Sequence, residues 1–299
     1  MLDSRNPREA PGAMHATVSV NGTITDAASA VIPVFDHGFL YGEGVYETLR
    51  TYGRSPGLFD RHMRRLRRSA ELMALPVPYS DDELRARVDE TMAAHDTPGE
   101  LYVRMLLTRG VGELTYDPSA CPAPSLVIIV KPFPEPPAHQ FAAGIDVRLV
   151  SVRRNHPDAL NPRIKSNNLL NNALAMQEAM RHGADEALML NQAGHVTECS
   201  QSNFFLVDAG GTLVTAPLED GLLPGITREV VLELAASLGV PAAERSFGPE
   251  AIAAAREALV TSTTREVMPV ARIDGRPVGD GRPGPVARRL LDAYRTNAH

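Results

Sequence analysis

The chain has 299 residues, 43% hydrophobic and 22% charged, enough to bury a substantial core as one large domain or two ordinary ones. A net charge of −6 argues against nucleic acid or an anionic membrane surface as partner, and no apolar run approaches membrane-spanning length. Two cysteines, Cys121 and Cys199, cannot build a disulfide framework and suit a reducing cytoplasm.

The opening MLDSRNPREAPG lacks the apolar middle of a secretory signal and reads as a disordered tail. Residues 16 to 35 read as short strands around Asn21-Gly22, a strong hairpin signal. In RHMRRLRRSAELMALPV, Met63, Leu66, Ala70 and Met73 recur at helical spacing, with Arg61, Arg64, Arg67 and Arg68 as a solvated face. Ser80 and Glu83 form a capping box that opens a helix to about His95. Strands follow at 101–108 and 125–130. The proline-rich KPFPEPP, residues 131–137, cannot propagate helix or central strand and marks a linker between an N-terminal domain, 14–130, and a C-terminal domain, 138–299. Beyond it the pattern gives a strand at 145–152, a helix at 169–181, and strands at 187–190 and 203–207. A helix opens at 223–227 and runs to 238, a short helix starts at Pro249, a strand spans 258–261, and a final helix spans 285–295. Mixed strands and helices in two halves define an α+β fold.

Of the 30 lysines and arginines, only Lys131 and Lys165 are lysine. Heavy alanine and arginine usage accounts for the general scarcity of lysine, and Lys131 has no chemical company beside Pro132. Lys165, in RIKSNNLLNN, sits where a loop passes into a helix. A guanidinium stays protonated, whereas a partly desolvated amine can lose its proton and attack a carbonyl, so Schiff-base chemistry requires lysine. Glu198, in VTECS, ends a strand inside a small, polar run. Leu223-Pro224-Gly225-Ile226-Thr227 places free amides and a hydroxyl at a helix N-terminus, a ready phosphate site or simple helix initiation. Thr261-Ser262-Thr263-Thr264 ends a buried strand with hydroxyls suited to phosphate oxygens or to capping. Gly42-Glu43-Gly44 is half a dinucleotide fingerprint, with Glu47 where its third glycine belongs. No histidine or cysteine cluster implies a metal. His37 and His62 read as structural, and Cys199 as a small buried residue.

Arg65, Lys165, Glu198, Gly225-Ile226-Thr227 and Ser262-Thr263 follow one another in the order and approximate spacing of fold-type IV pyridoxal-phosphate enzymes. That family includes branched-chain and D-amino-acid aminotransferases and aminodeoxychorismate lyase. The blocks FDHGFLYGEGVYETLR, NPRIKSNNLLNN, VTECSQSNFF, LLPGITRE and TSTTREVMPV carry the resemblance, which runs from about Asn21 to Tyr294. It implies a two-domain fold of the D-amino-acid aminotransferase kind, pyridoxal 5'-phosphate as cofactor, and a homodimer whose sites borrow a loop from the neighbour. It implies that Lys165 holds the cofactor covalently and shuttles the α-proton, while Glu198 pairs with the pyridinium nitrogen. Arg65, Ile226, Thr227 and Thr263 would hold the phosphate, with Gly225 and Ser262 in the same cofactor-binding stretches, and Leu223 would pack on the ring face.

Tyr102-Val103-Arg104 resembles the Tyr-x-Arg with which branched-chain aminotransferases receive carboxylates. Leu114 and Tyr116 stand where D-amino-acid aminotransferases carry an Arg-x-His pair. Two stretches point the other way. Tyr46-Glu47-Thr48 occupies the place of Phe-Glu-Gly, and Ser262-Thr263-Thr264-Arg265 that of Gly-Thr-Ala-Ala. Thr264 adds volume and a hydroxyl beside the carboxylate site, and Tyr41 and Tyr46 line the site in the family's manner. The resemblance therefore implies transamination between an amino acid, branched-chain type favoured, and a 2-oxo acid such as 2-oxoglutarate, by a ping-pong mechanism. The alternatives are a D-amino-acid or (R)-amine transaminase of the same fold and a lyase resembling aminodeoxychorismate lyase.

Overall fold

The computed structural model describes residues 14–297, and the expected N-terminal tail lies outside them. The hairpin forms as its turn residues dictate: β1 (Thr17–Val20) and β2 (Thr23–Asp26) pair antiparallel across Asn21 and Gly22, at φ of 50° and 92°. Two left-handed residues in succession match the twist of the flanking strands. After one helical turn, α1 (His37–Leu40), the chain forms β3 (Gly44–Tyr52) and β4 (Ser55–Pro56). The sequence does not announce β3, because Glu47 falls on the core-facing side of VYETLRTY and breaks the apolar alternation.

Helix α2 (Phe59–Leu72) buries Met63, Leu66 and Ala70 at the expected spacing. Arg64 and Arg68 are exposed, but Arg61 donates to both oxygens of Glu233 at 2.8 and 2.9 Å and Arg67 donates to Asp81. The solvated face is thus partly taken up by ion pairs to other elements. In α3 (Asp81–Ala93) the capping box is complete, Ser80 accepting from the Glu83 amide and Glu83 from that of Ser80. Strands β5 (Leu101–Thr108) and β6 (Ser125–Pro132) complete a six-stranded sheet of order β2-β1-β6-β5-β3-β4. β6 continues to Pro132, two residues into the proline-rich segment, since Pro132 occupies the last ladder position opposite Leu101. One face of this sheet, with Val45, Leu49, Val103 and Met105, packs on α2 and α3 in a closed apolar core.

The remaining chain runs through α4 (Ala138–Ala143), β7 (Ile145–Leu149), α5 (Leu170–Arg181), β8 (Glu186–Leu190), β9 (Val196–Cys199), β10 (Asn203–Val207) and β11 (Leu213–Thr215). It continues with α6 (Ile226–Ser237), β12 (Ala242–Glu244), α7 (Pro249–Ala253), β13 (Glu257–Ser262), β14 (Glu266–Ile273), β15 (Arg276–Pro277) and α8 (Pro285–Asn297). Its strands form one nine-stranded sheet, ordered β12-β11-β10-β13-β14-β7-β8-β9 with β15 on β14. β9 also reaches β10, Glu198 standing opposite Asn203, so the sheet curls onto itself around a core that includes Leu188, Phe204, Val260 and Met268. Its outer face is covered by α6 and α8. On α5 burial falls on the small residues Ala175 and Ala179, while Leu170 and Leu174 stay exposed.

The two sheets meet through buried charge. Arg50 of β3 donates to Glu266 of β14 at 3.1 Å, and Arg295 of α8 donates to the same carboxylate at 2.7 Å. Arg50 and Glu266 are both buried, and without Glu266 the Arg50 guanidinium would keep only the exposed Glu135, at a cost of up to about 3–5 kcal/mol.

Candidate active site

Because side chains alternate along a strand, the face of β3 and β5 opposite the apolar core carries Tyr46, Thr48, Tyr102 and Arg104. These four form one wall of a cleft of about 540 Å³ between the sheets. Arg104 places its guanidinium 4.0 Å from the centroid of the Tyr46 ring, and Lys165 places Nζ 4.4 Å from it. Burial raises the Tyr46 phenol, but the charges of Lys165 and Arg104 outweigh it and the net shift is downward. The Tyr102 hydroxyl lies 3.5 Å from that of Thr48. Arg104 has no carboxylate partner among the described residues.

Lys165 is held by its backbone. Its N–H donates to the Ser69 hydroxyl of α2 at 3.1 Å, and its carbonyl accepts from the Tyr46 amide of β3 at 3.0 Å. A bridge between Val45 and Ser166 extends this pairing. The amine therefore reaches into the cleft from an anchored main chain.

Glu198 is buried across the cleft and accepts three bonds: Arg154 Nε at 2.8 Å, the Leu223 amide at 3.1 Å and Asn203 Nδ2 at 3.2 Å. Burial pushes its carboxyl up, and Arg154, the Leu223 amide and Lys165 counter only part of that shift. The Asn203 amide also donates to the Leu223 carbonyl at 3.0 Å, tying Glu198 to the segment that opens α6. Arg154 and Asn203 carry no local sequence signal: Arg154 reaches Glu198 from 44 residues away, and Asn203 meets it across the turn from β9 to β10.

At the far end of the cleft stand Arg65, Gly225, Ile226, Thr227, Ser262 and Thr263. Gly225 caps α6 with no side-chain partner for the first amides, which leaves donors and the positive end of a helix dipole facing the cleft. A Cβ on Gly225 would stand 1.8 Å from Asn203 Oδ1, so only glycine fits there. Arg65 is aimed by a wholly buried carboxylate: its Nε and Nη2 donate to Glu47 at 2.8 and 2.7 Å, and Nη1 donates to the Pro224 carbonyl at 3.1 Å. His62 Nδ1 lies 2.7 Å from Glu47 and, facing a carboxylate, carries the proton. Burial alone would raise the Glu47 carboxyl, but Arg65 and His62 outweigh it and hold it at about 2. Burial also lowers the His62 imidazole, against the pull of Glu47. His62, expected as structural, thus sits one contact from the site.

Leu223 and Thr264 also line the cleft, whereas Tyr41 does not. Tyr41 packs edge-on against His37 at 4.9 Å and beside Tyr116 at 5.1 Å, on a segment with Val34 and Phe39 exposed. Lys131 stands 5.0 Å from the centroid of the Tyr102 ring. Among the described residues no group of three or more His, Cys, Asp or Glu side chains could hold a metal ion. Likewise, none of the described helices is long and apolar enough to cross a membrane.

An amine, a buried carboxylate and an arginine beside the free amides of a helix N-terminus line one cleft, an arrangement that suits an aminotransferase. The chain belongs to the class IV amino-transferases, whose family pattern matches residues 44–273. It is 33% identical to the D-alanine aminotransferase of Staphylococcus aureus over 282 residues, covering 93% of this chain and 96% of the relative. Among solved structures, the branched-chain aminotransferase of Thermoproteus uzoniensis with norvaline superposes with a TM-score of 0.86 at 36% identity, covering 95% of this chain and 94% of that one. The branched-chain amino acid aminotransferase of T.th. with pyridoxamine 5'-phosphate gives 0.85 at 30%, covering 93% and 92%. The fold is that of fold-type IV, and enzymes of this class work with pyridoxal 5'-phosphate.

Proposed function

We propose that this enzyme moves the amino group of an amino acid, branched-chain type favoured, to a 2-oxo acid such as 2-oxoglutarate, in two half-reactions through one pyridoxal-phosphate site. The residues present fit that cofactor. The Thr261 hydroxyl lines the cleft, is buried and has no partner, and the Gly225 notch has no room for a side chain. When bound, the cofactor supplies an electron sink that stabilises negative charge at the substrate's α-carbon. Lys165 would hold it and then carry the α-proton at Nζ. Glu198 would hold the proton on the ring nitrogen, kept in place by Arg154, Asn203 and the Leu223 amide. Arg65, Gly225, Ile226, Thr227, Ser262 and Thr263 would bind the phosphate, and Leu223 would pack on the ring.

Arg104 carries the substrate reading. A guanidinium in the cleft without a carboxylate of its own is a receiver for one, with Tyr102, Tyr46 and Thr264 shaping the space around it. A second reading, a D-amino-acid or (R)-amine donor, is favoured by the added bulk of Tyr46 and Thr264 on that wall. Pocket differences of this size are worth about 1–3 kcal/mol between donors, enough to exchange one for the other. We further propose two domains, 14–130 and 138–299, with 131–137 as the connection, in a reducing cytoplasm. They would assemble as a homodimer in which the exposed apolar side chains of Val31, Val34, Phe39, Leu114 and Tyr116 are covered, with Tyr41 among them serving the neighbour's cleft.

The test is the visible spectrum of the cofactor-loaded enzyme during separate additions of L-leucine and D-alanine. Conversion of the cofactor band by L-leucine alone supports the branched-chain reading, and conversion by D-alanine alone replaces it with the second. Silence from both, with Lys165→Ala unable to bind cofactor covalently, overturns both donor readings tested and favours an (R)-amine or a lyase substrate.

A further inference from the structure

Behind the wall formed by Ser262, Thr263 and Thr264 lies a charged strut that the contacts above leave unused. Arg265 closes the turn between β13 and β14, its amide donating to the Ser262 hydroxyl at 3.2 Å. Its guanidinium turns away from the cleft: Nη1 donates to Glu186 at 3.0 Å and Nη2 to the Asp185 carbonyl at 3.2 Å. Glu186 is wholly buried on β8. The same carboxylate accepts from the hydroxyls of Ser200 and Ser202 and from the Ser200 amide. Ser200 and Ser202 line the cleft just past Glu198. Arg265 is the cation paired with Glu186 among the described residues. Without it a buried carboxylate would keep only neutral donors, a state the fold resists. The strut therefore joins the turn on one side of the cleft to the segment after Glu198 on the other.

We infer that Arg265 is a positioning residue of the substrate pocket: anchored on Glu186, it fixes the turn so that Thr264 meets the substrate carboxylate at a set distance. The inference rests on the reading above, in which Arg104 receives the substrate carboxylate and Thr264 shapes the space around it. The two anions in the cleft depend on the turn to different degrees. The cofactor phosphate has Arg65 and the N-terminus of α6 as further holders, so a loosened turn costs it little. The substrate carboxylate has Arg104 and Thr264, and losing one hydrogen bond to a charged group costs roughly 10- to 100-fold in affinity.

The experiment uses cofactor-loaded wild type, Arg265→Ala, Arg265→Lys and Glu186→Gln. Each is titrated with unreactive saturated carboxylic acids, from propionate to 4-methylvalerate, while the cofactor band is followed. The dissociation constant of the cofactor is measured alongside. In Arg265→Ala the carboxylate Kd should rise roughly 10- to 100-fold, with Arg265→Lys in between and the cofactor Kd changed less than about threefold. An unchanged carboxylate Kd overturns the inference. So does an equal loss of carboxylate and cofactor affinity, which would mark a general structural role. Should Arg265→Ala not fold, Arg265→Lys decides, and a wild-type carboxylate Kd in it is the overturning result. If wild type itself binds no carboxylate of the series and converts no amino acid, the substrate reading has failed and takes this inference with it. Binding that is equal in wild type and Arg265→Ala overturns the inference alone.

Discussion

Replacing Glu47 by glutamine isolates what aims Arg65 into the cleft. Glu47 accepts two bonds from Arg65 and one from His62 with no exposure to solvent, so the change removes a buried charge without altering volume. A carboxyl moved from its ordinary value of 4.5 to about 2 contributes about 3 kcal/mol to folding at neutral pH. Breaking one side of a buried pair independently costs about 3–5 kcal/mol, which agrees. The sign follows from the depressed value. The contribution is fully present above pH 4.5 and is lost as pH falls toward 2. Urea unfolding of apoprotein should show Glu47→Gln about 3 kcal/mol less stable at pH 7, with the gap to wild type narrowing below pH 4.5 by up to about 1.4 kcal/mol per pH unit. His62 adds to the acid sensitivity of wild type, because its lowered value makes the unfolded chain bind a proton first as pH falls from about 6.5. Glu198 acts in the opposite sense, its raised carboxyl favouring the folded state as pH falls through its range. A stability difference below about 1 kcal/mol, or one that does not vary with pH, would refute the assignment of Glu47 as the charged anchor of Arg65.

Other outcomes can be checked on the same preparations. Thr261→Val removes a buried hydroxyl that has no partner, so the apoprotein should be as stable or about 1 kcal/mol more stable by urea melt while cofactor affinity falls. Gly225→Ala forces a methyl against Asn203 Oδ1 and should cost about 1–3 kcal/mol together with cofactor retention, measured by unfolding and by dialysis. Arg154→Gln leaves Glu198 with neutral donors only. It should move the cofactor's spectral pH transition and lower stability by about 3–5 kcal/mol, whereas an unmoved transition would show that Arg154 does not act on Glu198.

The candidate site was legible wherever it rests on a local pattern. Lys165 stood out against an arginine background, the amides of 225–227 follow from a helix start, and the 262–264 hydroxyls from a strand end. The hairpin at Asn21-Gly22 and the capping box at Ser80 were legible for the same reason, since each is decided within a few residues. Glu47 was hidden because a carboxylate facing a core argues against a strand until its partners Arg65 and His62 are seen folding onto it. Arg154, Asn203 and the Glu186–Arg265 pair were hidden more completely. Each makes its decisive contact with a residue remote in sequence or beyond a strand turn, where periodicity carries no information. Tyr41 shows the opposite limit: motif order marks it, yet within one chain it does not reach the cleft.

Lys165 belongs by sequence to the second half of the molecule, but its main chain is bonded to Ser69 and Tyr46 of the first. Glu198 sits in the curled sheet and travels with it. The distance between amine and carboxylate is therefore a property of the seam and not of either half. A shift of one half against the other would change it, and the Arg50–Glu266 and Arg65–Pro224 contacts oppose such a shift. Mutations far from the cleft that loosen the Arg50–Glu266 contact across the same seam would therefore reach the site by changing that distance, with no residue of the cleft altered.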